Sequence, residues 1–225
     1  MAPSEGALAS PRLGRLARRD ARTQPSFSLE QCELCGEQIE PEHRHLLDLE
    51  TRELLCACRA CSILFDRPEA PSVRYRLVPS RRLRLEELVL DEQAWERLRL
   101  PVEMAFFFHN SAAGRVTAFY PSPMGATESR LEIEAWSEIE AANPILAGMA
   151  SDVEALLVDR SRGARRQWLV PIEDCYRLVA VIRTSWRGFS GGKEVWVEIE
   201  RFFEQLEGRA RPHREPSNTN ATEGS

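Results

Sequence analysis

The chain has 225 residues, of which 43% are hydrophobic and 29% are charged, a composition typical of a globular protein with a hydrophobic core. The formal net charge is −5, which disfavours nucleic acid as the main partner because binding a phosphate backbone requires a basic surface. No apolar run approaches the roughly eighteen residues needed to span a bilayer, so we predict no membrane span and a soluble protein.

Residues 1–27 mix Ala, Ser, Pro, Gly and Arg without hydrophobic periodicity, which predicts a disordered basic arm. Five arginines outnumber the two acidic residues of this arm. No apolar segment follows the arginines, so neither a general secretory nor a twin-arginine signal is predicted. We therefore expect a cytoplasmic protein, and we interpret the arm as a solvated tail rather than a nucleic-acid contact.

Residues 28–68 form a cysteine-rich segment that holds five of the six cysteines. Two residues separate Cys32 from Cys35, and two separate Cys58 from Cys61. Each pair can present two thiolates to one metal ion from a tight turn, here called a knuckle. Gly36 follows the first pair, where the chain must turn with positive φ. A reducing cytosol favours metal ligation over disulfides for such a cluster.

The spacer between the two pairs predicts a β-hairpin. Residues 44–49 and 52–56 have the pattern of two short strands around a Glu50-Thr51 turn. The expected order is knuckle, hairpin, knuckle, which is a zinc-ribbon-like module. A site with four thiolate ligands has no position for water, so it favours a structural or redox role over hydrolysis. The predicted ligands are Cys32, Cys35, Cys58 and Cys61.

Three other side chains of the segment leave alternatives open. In an extended strand Cys56 shares a face with Cys58, so it could exchange with that ligand or be a reactive thiol beside the metal, although we interpret it as a small packed hydrophobe. His43 and His45 could supply imidazole ligands, but four cysteines already fill a tetrahedron, so we assign both to the surface or to a supporting role. Zinc is the predicted metal, and iron is the alternative.

Residues 69–207 are predicted to form a larger α+β domain with an antiparallel sheet and three to four helices. Residues 208–225 are predicted to be a disordered tail. Residues 102–108 are almost wholly apolar, which predicts a central strand covered on both faces. The other predicted strands lie near 74–78, 115–120, 153–158 and 168–170. The predicted helices begin after Asp91, at Ser129 with a capping box to Glu132, at Pro171, and near Lys193, the last ending before Gly208.

The sequence contains few features of an enzyme. The loop 121–127 could hold an anion if it preceded a helix, and residues 190–193 have part of a phosphate-loop pattern, but we interpret both as plain turns. Cys175 lies on the apolar stripe of its helix, which indicates a core residue rather than a nucleophile paired with Asp174 and His109. We predict no catalytic activity and no catalytic residue.

Five segments carry a family resemblance: 32–36, 43–50, 55–61, 118–128 and 186–188. Together they resemble an uncharacterised, mainly actinobacterial family of unknown function, over about residues 30–206. Members of that family tend to be encoded beside the genes for uptake NiFe hydrogenases, so the resemblance implies an accessory role for such an enzyme. It implies no activity and transfers no catalytic residue.

Three functions follow as hypotheses. The first is an assembly or interaction factor whose partner is a hydrogenase subunit or maturation factor and whose zinc site stabilises a docking module. The second is a rubredoxin-like iron electron carrier that serves a hydrogenase. In rubredoxin both knuckles carry glycine, whereas the segment 58–62 has none. The third, a zinc-ribbon regulator that binds nucleic acid, conflicts with the acidic net charge.

Overall fold

The computed structural model describes residues 30–66, 74–129, 133–188 and 191–213. The predicted arm at 1–27 lies outside the described residues, and so do residues 214–225 of the predicted tail. Within the described ranges the chain forms two β-sheets and six α-helices. The fold is therefore α+β, as the sequence predicts.

The small sheet belongs to the cysteine segment. Strands β1 (Arg44–Asp48) and β2 (Leu54–Ala57) form the predicted antiparallel hairpin, and β3 (Tyr75–Leu77) pairs with the other edge of β1. Helix α1 (Arg59–Ile63) follows β2 directly. Residues 30–66 together with β3 are called the cysteine module below. The segment at 74–78, which the sequence places at the start of the larger domain, thus contributes its strand to the small sheet.

The large sheet has seven strands in the order β10-β4-β9-β8-β5-β6-β7. Strand β5 (Met104–Asn110) pairs antiparallel with β6 (Arg115–Ser122) on one side and with β8 (Glu154–Asp159) on the other, which confirms the predicted central strand and hairpin. The remaining strands are β4 (Leu83–Leu85), β7 (Gly125–Ser129), β9 (Arg166–Pro171) and β10 (Arg211–His213).

Helices cover both faces of the large sheet. Side chains alternate along β5, so Phe107 packs in one buried cluster and Phe106 in another. The first cluster includes helices α2 (Glu92–Arg97), α3 (Ile133–Ala142) and α4 (Pro144–Ala147), and the second includes α5 (Ile172–Ser185) and α6 (Gly192–Arg209). Burial on both faces explains why β5 is apolar throughout.

The structure corrects the sheet type. The large sheet is mixed rather than antiparallel, because β10 runs parallel to β4. Strand β10 comes from residues that the sequence predicts as a polar tail, since Arg211–His213 contains no large apolar side chain. The strand forms at a sheet edge through backbone pairing, which the side-chain pattern does not reveal.

The structure also corrects two helix boundaries and the helix count. Ser129 does not cap a helix, because it ends β7 opposite Ala118, and α3 begins at Ile133; Glu132 of the predicted capping box lies outside the described residues. Helix α6 continues through Gly208 to Arg209. The two helices beyond the predicted three to four are the short α1 and α4. Asp91 caps α2 as predicted, accepting a hydrogen bond from the amide of Ala94 at 2.7 Å.

No helix within 30–66, 74–129, 133–188 or 191–213 is long and apolar enough to cross a membrane.

Candidate metal centre

The first cysteine pair lies on a tight turn before β1. The amide of Gly36 donates to the carbonyl of Cys32 at 2.8 Å, and the amide of Cys32 donates to the carbonyl of Glu37 at 2.7 Å. Gly36 has φ of 78°, a conformation that glycine adopts without steric cost. The Cys32 side chain is buried and that of Cys35 is exposed. This turn is the knuckle that the sequence predicts.

The second pair lies at the start of a helix and not on a second knuckle. Cys58 is the N-cap residue of α1, and its Sγ accepts a hydrogen bond from the amide of Cys61 at 3.4 Å. Residues 59–62 contain no glycine, and Arg59 and Ala60 favour a helical conformation. The module therefore has the order knuckle, hairpin, helix instead of the ribbon order expected from the spacing.

The fold brings the four predicted ligands together. The sulfur atoms of Cys32, Cys35, Cys58 and Cys61 all lie within 4.8 Å of one another, and those of Cys35 and Cys58 are 3.7 Å apart. Four thiolates about 2.3 Å from a zinc ion in a tetrahedron have sulfur–sulfur distances of about 3.8 Å. The group thus has the donor atoms and the spacing to hold one metal ion with four sulfur ligands.

The protonation of the thiols is unequal. Burial opposes ionisation of Cys32, but hydrogen bonds from backbone amides, chiefly that of Cys58, outweigh burial and lower its pKa to about 6. Interactions with the thiols of Cys35 and Cys58 raise the pKa of Cys61 to about 12. For Cys35 the amide of Glu37 favours the thiolate, but the side chain of Cys32 opposes it and the net pKa is raised. Metal binding at this group therefore requires the release of protons.

Cys56 and the two histidines form a separate group on the hairpin. Ring nitrogens of His43 and His45 and the sulfur of Cys56 lie within 4.8 Å of one another. Burial, and then the negative charges of Glu30 and Glu33, raise the pKa of the Cys56 thiol. The structure therefore places Cys56 with the imidazoles rather than among the four sulfurs. The same-face argument from the sequence does not identify this grouping, because it considers only Cys58 as a neighbour.

Ion pairs fasten the cysteine module to the rest of the chain. Arg52, in the turn of the hairpin, lies 2.7 Å from the buried carboxylate of Asp152, which also lies 3.0 Å from Arg76 of β3. Nδ1 of His45 lies 2.8 Å from the carboxylate of Glu173 in α5. A small apolar cluster of Leu47, Val78 and Val153 reinforces these contacts. The hairpin is thus held from both the β8 side and the α5 side.

Among the residues that the structure describes, the loop 121–127, Cys175 and His109 do not form a metal or catalytic centre. The loop at 121–127 is the tight turn between β6 and β7, where the hydroxyl of Ser122 donates to the carbonyl of Gly125 at 2.9 Å; it does not precede a helix. Cys175 is fully buried in the core, and desolvation raises its pKa well above the usual thiol value. His109 lies 3.2 Å from Glu140 and is not in contact with that thiol. Ser190 lies outside the described residues.

Comparisons with known proteins identify one family. A family model described as a family of unknown function (DUF5947) matches residues 31–210. The matched range contains the four cysteines, the two histidines and every strand except β10. No curated protein and no solved structure matches the chain.

Proposed function

The chain belongs to the DUF5947 family of unknown function, and we propose that it is a metal-binding accessory protein whose four-cysteine centre holds a structural zinc ion. The observation that carries the proposal is the grouping of four sulfurs at the spacing of a tetrahedral site. With all four positions taken by protein, a bound ion has no place for substrate or water, which argues against hydrolytic chemistry.

Zinc in this centre would act on the stability of the module. Its ligands come from the knuckle before β1 and from the first turn of α1, so one ion would cross-link the two ends of the hairpin. A module of this size buries little apolar surface by itself, and structural zinc sites supply folding free energy in such cases. The expected result is a rigid, metal-stabilised surface rather than a reactive site.

The proposed partner is a subunit or maturation factor of a NiFe hydrogenase in the cytoplasm. The resemblance to a family encoded beside uptake hydrogenase genes supports this choice. Apolar side chains next to the ligands are exposed: Leu34 by 37%, Ile63 by 61% and Leu64 by 73%. Exposed apolar side chains beside a rigid metal centre suit a protein partner better than a nucleic acid, and the acidic net charge supports the same choice.

Iron in the same four sulfurs is the second candidate, and it would make the protein an electron carrier for the hydrogenase. The exposure of Cys35 favours it, because a ligand sulfur at the surface shortens the path to a redox partner. The two candidates differ in colour and redox behaviour. Zinc has no redox chemistry and no visible absorption, whereas iron bound to thiolates absorbs visible light and accepts an electron.

The experiment is metal analysis and absorption spectroscopy of the purified full chain. Structural zinc requires a colourless protein with zinc that resists dialysis, and a red, reducible iron centre would contradict it. Cys35→Ser and Cys58→Ser should each lower the tightly held metal and the stability, while Cys56→Ser should leave the tightly held metal in place. Loss of that metal from Cys56→Ser alone would show that the assigned ligands are wrong.

The proposed partner has its own test. The tagged chain is purified from a host that expresses the genes of an uptake NiFe hydrogenase and its maturation factors, and the Cys35→Ser variant serves as the control. A hydrogenase subunit or maturation factor should co-purify with the wild-type chain and be lost from the variant. Recovery of the same amount with both proteins, or of none with either, would contradict docking through the metal module.

A further inference from the structure

A second set of metal-ligand side chains lies on the β1–β2 hairpin, outside the four-cysteine centre. His43, His45 and Cys56 each offer one donor atom, and these three atoms lie within 4.8 Å of one another. Imidazole nitrogen and thiolate sulfur are ligands that zinc, cobalt and related transition metals accept together. Neither the family match nor the proposed structural centre assigns any role to this group.

The backbone of the hairpin sets the arrangement. His45 in β1 is directly opposite Cys56 in β2, so their side chains leave the sheet on the same face. His43 precedes His45 by two residues and lies on that face as well, because side chains alternate along an extended chain. The two imidazole rings are 4.7 Å apart between centroids and are tilted by 52°. Strand pairing, rather than a chance rotamer, thus brings the three donors together.

The hydrogen bonds of His43 leave one nitrogen free to bind a metal. Nδ1 lies 2.8 Å from the carbonyl oxygen of Glu40, and a carbonyl only accepts, so Nδ1 carries the proton. Nε2 then has a lone pair. It is buried and has no hydrogen-bond partner among the described residues, while the side chain as a whole is only 7% exposed. A buried acceptor without a partner costs free energy, which a bound cation would recover.

His45 has the support that metal-binding histidines usually have. Its Nδ1 lies 2.8 Å from the carboxylate of Glu173, and Arg82 holds the other oxygen of that carboxylate at 3.1 Å. A carboxylate oxygen only accepts, so Nδ1 of His45 carries the proton of this contact. Nε2 is again the nitrogen left for a ligand. A carboxylate that orients a ligating imidazole is a recurrent feature of zinc sites.

We propose that His43, His45 and Cys56 form a second metal site, for a divalent transition-metal ion of the zinc and cobalt class. Unlike the four-cysteine centre, this site supplies three protein ligands and leaves the fourth coordination position open. The carboxylate of Glu30 lies 3.6 Å from Nε2 of His43 but is 64% exposed, so water or another ligand can compete with it for that position. An open position suits an ion that is exchanged, delivered or sensed rather than one that is permanently structural.

Hydrogen bonds of Glu33 connect the two sites. Its amide donates to the carbonyl of Cys56 at 2.9 Å, and its carboxylate accepts from the amide of Cys56 at 2.8 Å. These bonds fasten the first knuckle to β2, so a filled four-cysteine centre positions Cys56 for the second site. The second site should therefore fill after the first and release its ion first. The proposal does not depend on which metal or which partner the first centre has.

The test uses Co²⁺ as the probe on the full chain purified with its tightly held metal. Titration should show one further equivalent of cobalt bound, with a charge-transfer band in the near ultraviolet from a single thiolate. Cys56→Ser should abolish that band, and His43→Gln or His45→Gln should weaken cobalt binding by at least ~10-fold. His109→Gln is the matched control, because His109 also pairs with a carboxylate but lies in β5.

Glu173→Gln tests whether Glu173 positions His45 without itself binding the metal. Glutamine keeps an oxygen near Nδ1 of His45 but lacks the charge, so affinity should fall by about 10-fold or more while the charge-transfer band at saturation keeps its position. Equal cobalt binding by the wild type, Cys56→Ser and His45→Gln would overturn the proposal. A band that survives Cys56→Ser, His43→Gln and His45→Gln and disappears only in Cys35→Ser would also overturn it, because cobalt would then be in the four-cysteine centre.

The experiment distinguishes a misfolded variant from the failure of either proposed site. Retention of the tightly held metal in each variant reports an intact cysteine module, and His43→Gln, which leaves every cysteine in place, tests the second site if Cys56→Ser does not fold. Chain purified without tightly held zinc or iron that still binds cobalt through Cys56 would contradict the proposed structural centre and the order of filling, but not the second site itself. Chain with tightly held zinc but no cobalt binding would overturn only the second site.

Discussion

The carboxylate of Asp152 lies 2.7 Å from the guanidinium of Arg52, and this contact joins the turn of the β1–β2 hairpin to the residues that lead into β8. Asp152 is fully buried and also binds Arg76 and the amide of Ser111. One carboxylate thus holds the hairpin turn and β3 of the cysteine module against the large sheet. Its loss should loosen the whole module and not only a single contact.

We expect Asp152→Asn to lower the free energy of unfolding by about 1.5–3 kcal/mol, because a buried acceptor for two arginines loses its charge. The cost stays below that of a fully buried pair because both arginines are partly exposed. Asparagine tolerates the left-handed backbone of residue 152, where φ is 66°, so the substitution leaves the turn unstrained. Urea unfolding measures the difference.

The matched control is Glu128→Gln, which removes the exposed pair between Glu128 and Arg115. We expect that substitution to cost less than ~1 kcal/mol, since solvent screens exposed ion pairs. Equal effects of the two substitutions would show that Asp152 does not fasten the module.

We also expect the carboxylate of Asp152 to make the stability of the protein depend on pH. Burial raises the pKa of Asp152, but hydrogen bonds from Ser111 and Arg52 outweigh burial, so the folded-state pKa lies below the unfolded value of about 3.9. A lowered pKa contributes stability above the unfolded value, and this contribution is lost as pH falls through the folded value. The gap in unfolding free energy between the wild type and Asp152→Asn should thus be full at pH near 7 and narrow below about pH 4.

Metal release at acid pH would affect the wild type and Asp152→Asn alike. The difference between their unfolding free energies therefore reports the carboxylate of Asp152 and not the metal centre. A gap that stays constant, or that widens as pH falls, would contradict the assigned direction of the pKa shift. Metal content measured at each pH shows whether both samples are in the same state.

Two glycines of the C-terminal region should respond oppositely to alanine. Gly191 has φ of 84°, and a Cβ there would lie 3.0 Å from side-chain atoms of both Trp186 and Val195, so Gly191→Ala should cost about 1–3 kcal/mol. Gly208 is inside α6 with open space around a Cβ, so Gly208→Ala should add about 0.5–1 kcal/mol. Thermal unfolding checks both. A neutral Gly191→Ala would contradict the crowding at Trp186.

The hydrophobic periodicity of the sequence is sufficient to predict the elements at the centre of the fold. An apolar run at 102–108 predicts β5, and stripes at helical spacing predict α5 and α6, because these elements bury large side chains on defined faces. Strand β10 could not be predicted in this way. Arg211–His213 pairs through its backbone at an edge, and its side chains carry no alternation that marks a strand.

The candidate site also has one part that the sequence predicts and another that it does not. Cysteine spacing predicts the four-sulfur group, because two-residue separations place thiolates on one turn. The role of Cys56 requires the register of β1 against β2, which a one-residue shift would have changed. The pairing of His45 with Glu173 joins residues far apart in the chain, so the spacing within the module does not predict it.

Removal of the metal from the four-cysteine centre should loosen the cysteine module before the large sheet. In the proposed structural centre one ion would join the knuckle to α1 through four cysteines, whereas the large sheet has buried clusters on both faces. After treatment with a strong chelator, hydrogen exchange should accelerate in β1, β2 and α1, while amides of β5 and β8 stay protected. Cys35→Ser should give the same pattern without chelator. Uniform acceleration across both sheets would show instead that the module and the domain unfold as one cooperative unit, and unchanged exchange in β1 would show that the ion does not stabilise the module.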